Sequence, residues 1–381
     1  MQWAVVLFWV SAGAIGAGYI AYPLVLLALS RLFPQKPEPV LDEAQLPPVA
    51  VIIPVHNAGA AIEAKVHNTF ASHYPPQLLS VWVGLDGCTD DTHQRIAALQ
   101  KRYAALQVMA LAQRSGKAQT LNTIVAQTQA PVLVLTDVSA MLEADAVRQL
   151  VNHFADAHTG VVSTTLRTTG NSKTEGLYTA AEARLKQLET HVLGNAMGVF
   201  GPCYAVRRAA YNAPPANTLA DDFYIAMAAA QNGFRVVQSA AAVTQAAAMP
   251  QTEVMRRVRI GAGNWQNLAR FAGVLWQDNY RLSVAFFFHK VLRWLTPFFL
   301  LAAFAASGFL VDTQVPFAGI YTAAWVGQQL GLLLALLAWW QVKWLPVNPI
   351  GHFYLLNGAL LLGFIRWLRG VNSGVWQPTP R

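Results

Sequence analysis

Residues Trp3 to Leu29 contain no charged side chain, and no other feature restricts the fold of this chain as firmly. The run exceeds the roughly 20 apolar residues with which an α-helix crosses a bilayer. In hydrocarbon every backbone donor and acceptor must be satisfied within the segment, so a helix is the structure to expect. A cleaved signal peptide would carry a basic leading region and a short apolar core, and neither is present. The run therefore reads as a membrane anchor, followed by Arg31 and Lys36.

Apolar mass returns in the last third. Trp294 to Val311, Phe317 to Trp340 and Ile350 to Leu368 each reach spanning length, and Trp294, Trp339, Trp340, Trp344 and Trp367 stand where interfacial aromatics belong. These segments explain a chain that is 54% hydrophobic and 12% charged, against about 25% charged in an average soluble protein. By the positive-inside rule Arg31, Lys36 and the middle of the chain face the cytoplasm, which makes the chain a multi-pass protein of the cytoplasmic (inner) membrane. One span before that middle part and three after it would leave Arg366, Arg369 and Arg381 outside. Either one segment is interfacial or re-entrant, or those arginines are tolerated.

The formal net charge is +8, and part of it is clustered. Between Glu253 and Arg293 stand Arg256, Arg257, Arg259, Arg270, Arg281, Lys290 and Arg293 against Glu253 and Asp278, interleaved with Trp265, Phe271, Trp276 and Phe286 to Phe288. That mixture suits amphipathic helices lying on an anionic leaflet. Adjoining membrane spans argue against nucleic acid as the partner, although basic and aromatic residues would serve it too. Cys88 and Cys203 form neither a disulfide framework nor a ligand set.

Between the membrane segments a soluble domain is expected. After the Pro-rich stretch "FPQKPEPVLDEAQLPP", the segment "VAVIIPVHN" is an apolar run of strand length that ends at His56 and Asn57. A helix follows over 60–71. The next strand, in "SVWVGLDGCTDDT", stops at Asp86, with Gly87 opening a turn and Thr89, Asp90 or Asp91 as helix caps. A helix over 92–104, a short strand near Gln107 to Leu111, the loop "AQRSGK" and a helix over 118–129 lead to "APVLVLTD". Continuous apolar strands alternating with helices imply an α/β domain with a mostly parallel, Rossmann-like sheet covered on both faces. Ligands of such sheets bind at the carboxyl ends of the strands. Asn57, Asp86 and Asp137 each stand at a strand end, so one crevice can collect all three.

A dinucleotide would call for G-x-G-x-x-G at the first strand-to-helix turn, and "PVHNAGAAIE" lacks it; no P-loop is present. Acidic strand ends with Lys117 after Gly116 better suit a nucleotide diphosphate held through a divalent cation, Mg or Mn, with the lysine on phosphate oxygens. Singly, Asp86 reads more readily as a turn residue and Asp137 as a helix cap. The repetition at three strand ends favours a site.

The ordered set "VIIPVHN", "GLDGCTDDT", "RSGKAQTLN", "LTDVSA", "VFGPCYAVRR", "LADDF" and "RRVRIGAGNWQ", over residues 48–270, resembles the family 2 glycosyltransferases of the membrane-bound polysaccharide-synthase type, such as the cellulose and poly-N-acetylglucosamine synthases. "HKVLRWLTPF" before the membrane resembles them as well. The resemblance implies a GT-A fold, a nucleotide-sugar donor, usually UDP-linked, and inversion at the anomeric carbon. It places Pro54, His56 and Asn57 beside the nucleobase, Asp86 on base and ribose, Glu63 on the first helix as an acidic partner, and Lys117 and Asn122 in the loop that cradles the diphosphate. Asp137 begins the D-x-D-like metal motif. Its second carboxylate is replaced by Ser139, so phosphate oxygens and water would have to complete the metal shell. "LADDF" matches the motif whose last acid, Asp222, is the general base, with Asp221 beside it. The same pair also suits a helix N-terminus on dipole grounds. Gly201, Pro202 and Cys203 match a loop beside the acceptor sugar. Processive members carry Q-x-x-R-W on an interfacial helix; here Arg259 fits the arginine, Ile260 stands in place of the Trp, and Trp265 is a candidate for its stacking role.

The chemistry asks for the same parts. Displacing a nucleotide from an anomeric carbon develops negative charge on the diphosphate, which a cation and Lys117 would stabilise. The acceptor hydroxyl loses its proton to one carboxylate, whereas glycoside hydrolysis needs two flanking the bond. The sequence thus predicts a membrane anchor over 1–30, a linker over 31–48, a GT-A catalytic domain over 49–250, basic interfacial helices over 251–293, a membrane region over 294–370 and a tail over 371–381. Its expected activity is transfer of a hexosyl or N-acetylhexosaminyl group to a lipid-linked or growing exopolysaccharide acceptor, with membrane lipids and other exopolysaccharide-assembly proteins as partners. The alternatives are a processive synthase that also extrudes its polymer, and a non-catalytic nucleotide-sugar-binding membrane subunit.

Overall fold

A computed structural model of the chain describes residues 1–34, 39–169, 173–246, 250–311, 313, 315–340 and 348–375. Lys36, Trp344 and Arg381 lie outside the described residues, as does the side chain of Glu253. The uncharged N-terminal run forms α1 (Gln2–Gly16) and α2 (Tyr22–Ser30), joined through one π-helical turn. The soluble part then alternates strand and helix: β1 (Val49–Val55), α3 (Ala61–Phe70), β2 (Leu79–Asp86), α4 (Thr92–Arg102), β3 (Leu106–Leu111), α5 (Lys117–Gln127) and β4 (Val132–Thr136). After these come β5 (Ala140–Leu142), α6 (Ala146–Asn152), β6 (Thr159–Thr169), α7 (Lys173–Leu193), β7 (Cys203–Arg207), α8 (Asp221–Gln231) and β8 (Arg235–Ala246). The chain continues through α9 (Pro250–Phe271), α10 (Tyr280–Ala285), α11 (Leu292–Leu310), α12 (Ala318–Trp339) and α13 (Asn348–Leu368).

The eight strands form one sheet in the order β3-β2-β1-β4-β7-β6-β8-β5. β1, β2, β3 and β4 pair in parallel, and the short β7 runs antiparallel between β4 and β6. Every residue of β1 is buried because side chains alternate between two cores. Ala50 and Ile52 meet Leu121 and Ile124 on one face, while Val51 and Ile53 meet Ile62 and Val66 on the other. Over β1, β2 and β4 the expected apolar sheet, covered on both sides, is what forms.

Among the described residues three helices are long and apolar enough to cross a membrane: Gln2–Ser30, Tyr280–Leu310 and Ala318–Leu337. Two expectations change here. Helical structure runs unbroken through residues 293 and 294, so Lys290 and Arg293 belong to the start of a candidate span. And α13, expected to span, is not among the three. It carries His352, Asn357 and Arg366 and packs on the amphipathic α9, where Gly363 approaches so closely that a Cβ would lie 2.6 Å from the amide nitrogen of Ala262. Beyond α13 the backbone of Gly374 lies against Gly116, at the start of α5.

Candidate active site

The carboxyl ends of β1, β2 and β4 meet the N-termini of α5 and α8, and the geometry there is built around Lys117. Its ammonium is 2.8 Å from Asp137 Oδ1 and 3.7 Å from Asp221 Oδ2. Burial works against the charge of this lysine, but Asp137 and Asp221 outweigh it and hold its pKa above the ordinary value. Asp221, at the first turn of α8, is 6% exposed. Burial pushes its pKa up to about 6, with Lys117 opposing and Asp222 and Asp137 reinforcing the rise. Asp222 projects one residue on; its Oδ1 accepts from its neighbour's amide, Phe223 N, at 2.8 Å. Its Oδ2 lies over Gly201, where a Cβ would overlap it.

The loop around Gly201 is tied to the end of β4. Pro202 O accepts from Asp137 N at 2.9 Å and from Thr136 Oγ1 at 3.2 Å. Asp86 reaches the same cleft from β2. It is fully buried, and its two oxygens accept from Ser115 N at 2.5 Å and Gly116 N at 3.0 Å. Asp86 therefore fixes the loop that delivers Lys117, and the strand ends converge through residues 115–117. Arg259, on α9, faces the same acids: burial lowers its pKa, and Asp221, Asp137 and Asp222 counter that.

Other predicted site residues lie differently. His56 donates from Nδ1 to Asp86 O at 2.8 Å, Pro54 is buried in β1, and Asn57, with φ of 49°, accepts from Thr89 N at 2.8 Å. Glu63 pairs with Arg95 at 2.9 Å. Asn122 is occupied by Pro214 O and Tyr211 Oη, which makes it a clamp on the 211–214 segment. Ser139 Oγ accepts from Gln245 Nε2 at 2.7 Å. Cys203 is buried inside β7, and burial pushes its thiol up to about 11, so it does not line the cleft. Trp265 is 5% exposed, donates to Leu360 O and meets Phe298 and Phe364 edge-on. The stacking role expected of it is thus replaced by packing between α9, α11 and α13.

Sequence reasoning missed three buried charges. Lys65 lies beneath the Asp137 turn and donates to Thr136 Oγ1 at 3.0 Å and to Ala140 O; burial lowers it to about 8. The clue was its place on the apolar stripe Ile62, Lys65, Val66, Thr69. Lys186, 3% exposed, sets its ammonium 4.0 Å over the Phe200 ring, next to Gly201. Glu189 is fully buried and accepts from Tyr22 Oη at 2.8 Å and Met197 N at 2.8 Å, with His289 Nδ1 at 2.7 Å.

These residues fit a divalent cation. Three carboxylates face one ammonium, and Asp221 Oδ2 is buried without a hydrogen bond. Among the described residues no trio of His, Cys, Asp or Glu has metal-binding spacing. A cation held by Asp137 would therefore draw its remaining ligands from phosphate oxygens and water.

The sequence profile described as "Glycosyltransferase like family 2" matches residues 47–260. The chain belongs to this family. Like other family 2 proteins of GT-A fold, it has a curled, mostly parallel sheet. Two relatives are named Beta-monoglucosyldiacylglycerol synthase. The one from Synechocystis sp. is 27% identical over 166 residues, 42% of this chain and 33% of that protein. The one from Nostoc sp. is 28% identical over 122 residues, 32% and 26% respectively. The aligned stretches span a third or less of these relatives' length. Among solved structures, the mannosyltransferase PcManGT of Pyrobaculum calidifontis, in complex with GDP-Man and Mn2+, has a TM-score of 0.73 at 21% identity, covering 95% of this chain and 99% of that one.

Proposed function

We propose that this family 2 protein transfers a sugar from a nucleotide sugar, UDP-linked, to a lipid-linked or growing exopolysaccharide acceptor at the cytoplasmic face of a membrane, with inversion at the anomeric carbon. The observation that carries the reading is the placement of Lys117 between Asp137 and Asp221 with Asp222 one residue further on. The acceptor oxygen forms its bond to the anomeric carbon as the bond to the diphosphate breaks. Asp222 takes the hydroxyl proton, and the nucleoside diphosphate leaves with the electron pair. Lys117 and Arg259 neutralise the departing charge, while Asp86 holds the 115–117 loop in place. When bound, a Mg or Mn ion at Asp137, beside Ser139, would stabilise the same oxygens as a Lewis acid.

The glycolipid names of two relatives support a lipid acceptor. Ile260 in the tryptophan position and the packed Trp265 favour a single transfer over polymerisation. Three candidate spans support one consistent orientation. One leading in, one out and one back leave Arg366 and Arg369 on the side of the catalytic domain, as the positive-inside rule asks.

The test is Asp222→Asn in the full chain with a panel of UDP- and GDP-sugars. Binding of the nucleotide should persist, and transfer should fall by about 10²- to 10⁴-fold, the usual contribution of a general base. Unchanged turnover would remove Asp222 from the mechanism.

A further inference from the structure

Lys65 stands on the apolar stripe of α3, beside Ile62 and Val66, and is fully buried. Its ammonium meets two neutral oxygens, Thr136 Oγ1 at 3.0 Å and the carbonyl of Ala140, and among the described residues no carboxylate lies within ion-pair distance. A buried ammonium without an anionic partner is costly, and an apolar side chain would pack on this stripe at no such cost. Packing alone does not account for a lysine here.

The two oxygens bracket one turn. Thr136 ends β4 and Ala140 begins β5, and between them stand Asp137, Val138 and Ser139. The turn is closed by Ala140 N, which donates to Asp137 O at 3.2 Å. A charged lysine has donors only, so the Thr136 hydroxyl must aim its own proton elsewhere, and Pro202 O accepts it at 3.2 Å. The same carbonyl accepts from Asp137 N at 2.9 Å. A relay of bonds thus runs from Lys65 through Thr136 and Pro202 to the backbone of Asp137.

The middle of the turn is held as well. Ser139 Oγ accepts from Gln245 Nε2 at 2.7 Å, and Gln245 is buried. The turn is therefore fixed from α3, from β8 and from the loop before β7, while the Asp137 carboxylate stays 35% exposed beside Lys117. Holding a ligand's backbone from several sides while its carboxylate stays accessible is how a surrounding shell orients a metal ligand. Being enclosed, the Lys65 ammonium cannot reach a phosphate itself.

We infer that Lys65 is a positioning residue for Asp137: from beneath the 136–140 turn it fixes the direction in which the carboxylate meets a divalent cation. This role rests on the reading above that Asp137 is the cation's protein ligand. It also joins the two sides of the reaction, because Pro202 follows Gly201, over which the carboxylate of Asp222 lies.

The experiment measures Mn2+ binding to the full chain in detergent by electron paramagnetic resonance at saturating UDP, and UDP binding separately in EDTA. Lys65→Met keeps the apolar stem and removes the charge. It should raise the Kd for Mn2+ by about 10- to 100-fold, the usual cost of losing an orienting partner, and leave UDP binding in EDTA unchanged. A merely structural lysine would lower the melting temperature and move neither constant. Thr136→Val breaks the relay at its middle and should shift the Kd for Mn2+ in the same direction. The double variant should lose no more than the worse single one, since both act on one chain of bonds. An unchanged Kd for Mn2+ in folded Lys65→Met overturns the inference, as do losses that add in the double variant or a UDP affinity in EDTA that falls by the same factor. Should Lys65→Met fail to fold, an unchanged Kd in Thr136→Val overturns it. If the unaltered chain binds no Mn2+ with UDP, the cation's place at Asp137 falls and this role with it. A failure confined to the variants leaves the transfer assay with Asp222→Asn untouched.

Discussion

Gly201 lies directly beneath the carboxylate of Asp222, with no room for a methyl group between them. The glycine is needed for space, and the space belongs to the proposed base. A Cβ at Gly201 would lie 2.3 Å from Asp222 Oδ2, so Gly201→Ala should displace that carboxylate by about 1 Å. Misplacement of that order is enough to cost about 10²-fold in turnover. Steady-state kinetics should show the loss in kcat, with the Kd for nucleotide unchanged. Full activity in Gly201→Ala would mean that Asp222 does not need its observed position.

Asp86 spends both oxygens on the amides of Ser115 and Gly116. Asp86→Ala removes the acceptors of the buried Gly116 amide, at about 1–3 kcal/mol, and of the part-buried Ser115 amide, and frees the loop that carries Lys117. Binding of inorganic pyrophosphate should therefore weaken together with that of UDP. If only nucleotides that carry a base lose affinity, Asp86 is a base contact and the loop account is wrong.

The raised pKa of Asp221 has a direction that can be measured. A carboxyl whose pKa is about 6 when folded, against 3.8 as its ordinary value, favours the folded state below pH 4. That contribution is lost as pH rises through 6. Asp221→Asn escapes the loss. In the absence of nucleotide and divalent cation, the variant should melt above the unaltered chain at pH 7, by on the order of 1–3 kcal/mol. The difference should vanish near pH 4. A variant that melts lower at pH 7 would mean that ionised Asp221 stabilises the fold through Lys117.

Trp265 is packed against Phe298 and Phe364. Trp265→Phe should leave the KM for acceptor unchanged, and Trp265→Ala should destabilise by about 3–5 kcal/mol, the usual cost of truncating a buried Trp. A raised acceptor KM in the stable Trp265→Phe protein would return this ring to the acceptor site.

Much of the catalytic domain is legible in the sequence because burial on both faces of a parallel sheet demands continuous apolar strands, and β1, β2 and β4 supply them. The acids at their ends are legible for the same reason: a polar residue that ends such a strand emerges at the rim. Side-chain partners are harder to read. Asp86 ends β2 and Asn122 lies on α5, yet Asp86 accepts from the amides of residues 115 and 116, and Asn122 donates to Pro214 O and accepts from Tyr211 Oη, partners that depend on how loops fold back. Trp265 illustrates a different difficulty. An aromatic on an amphipathic helix fits an acceptor sugar or a neighbouring helix equally well, and only the position of α13 decides between them. Lys186 and Glu189 lie on a helix whose apolar periodicity is weak, and their partners Phe200 and His289 are distant in sequence.

Glu189 has a mechanical consequence. One carboxylate receives Tyr22 from the helix that begins the chain, sits against His289 from the helix that follows the catalytic domain, and holds the amide of Met197, four residues before Gly201. Sliding or tilting of either helix must break a buried bond at this hub or pull on the segment under Asp222. On the proposed function, a shift of either helix would reach turnover through these three hydrogen bonds, so the medium in which the protein is reconstituted is expected to change its kinetics.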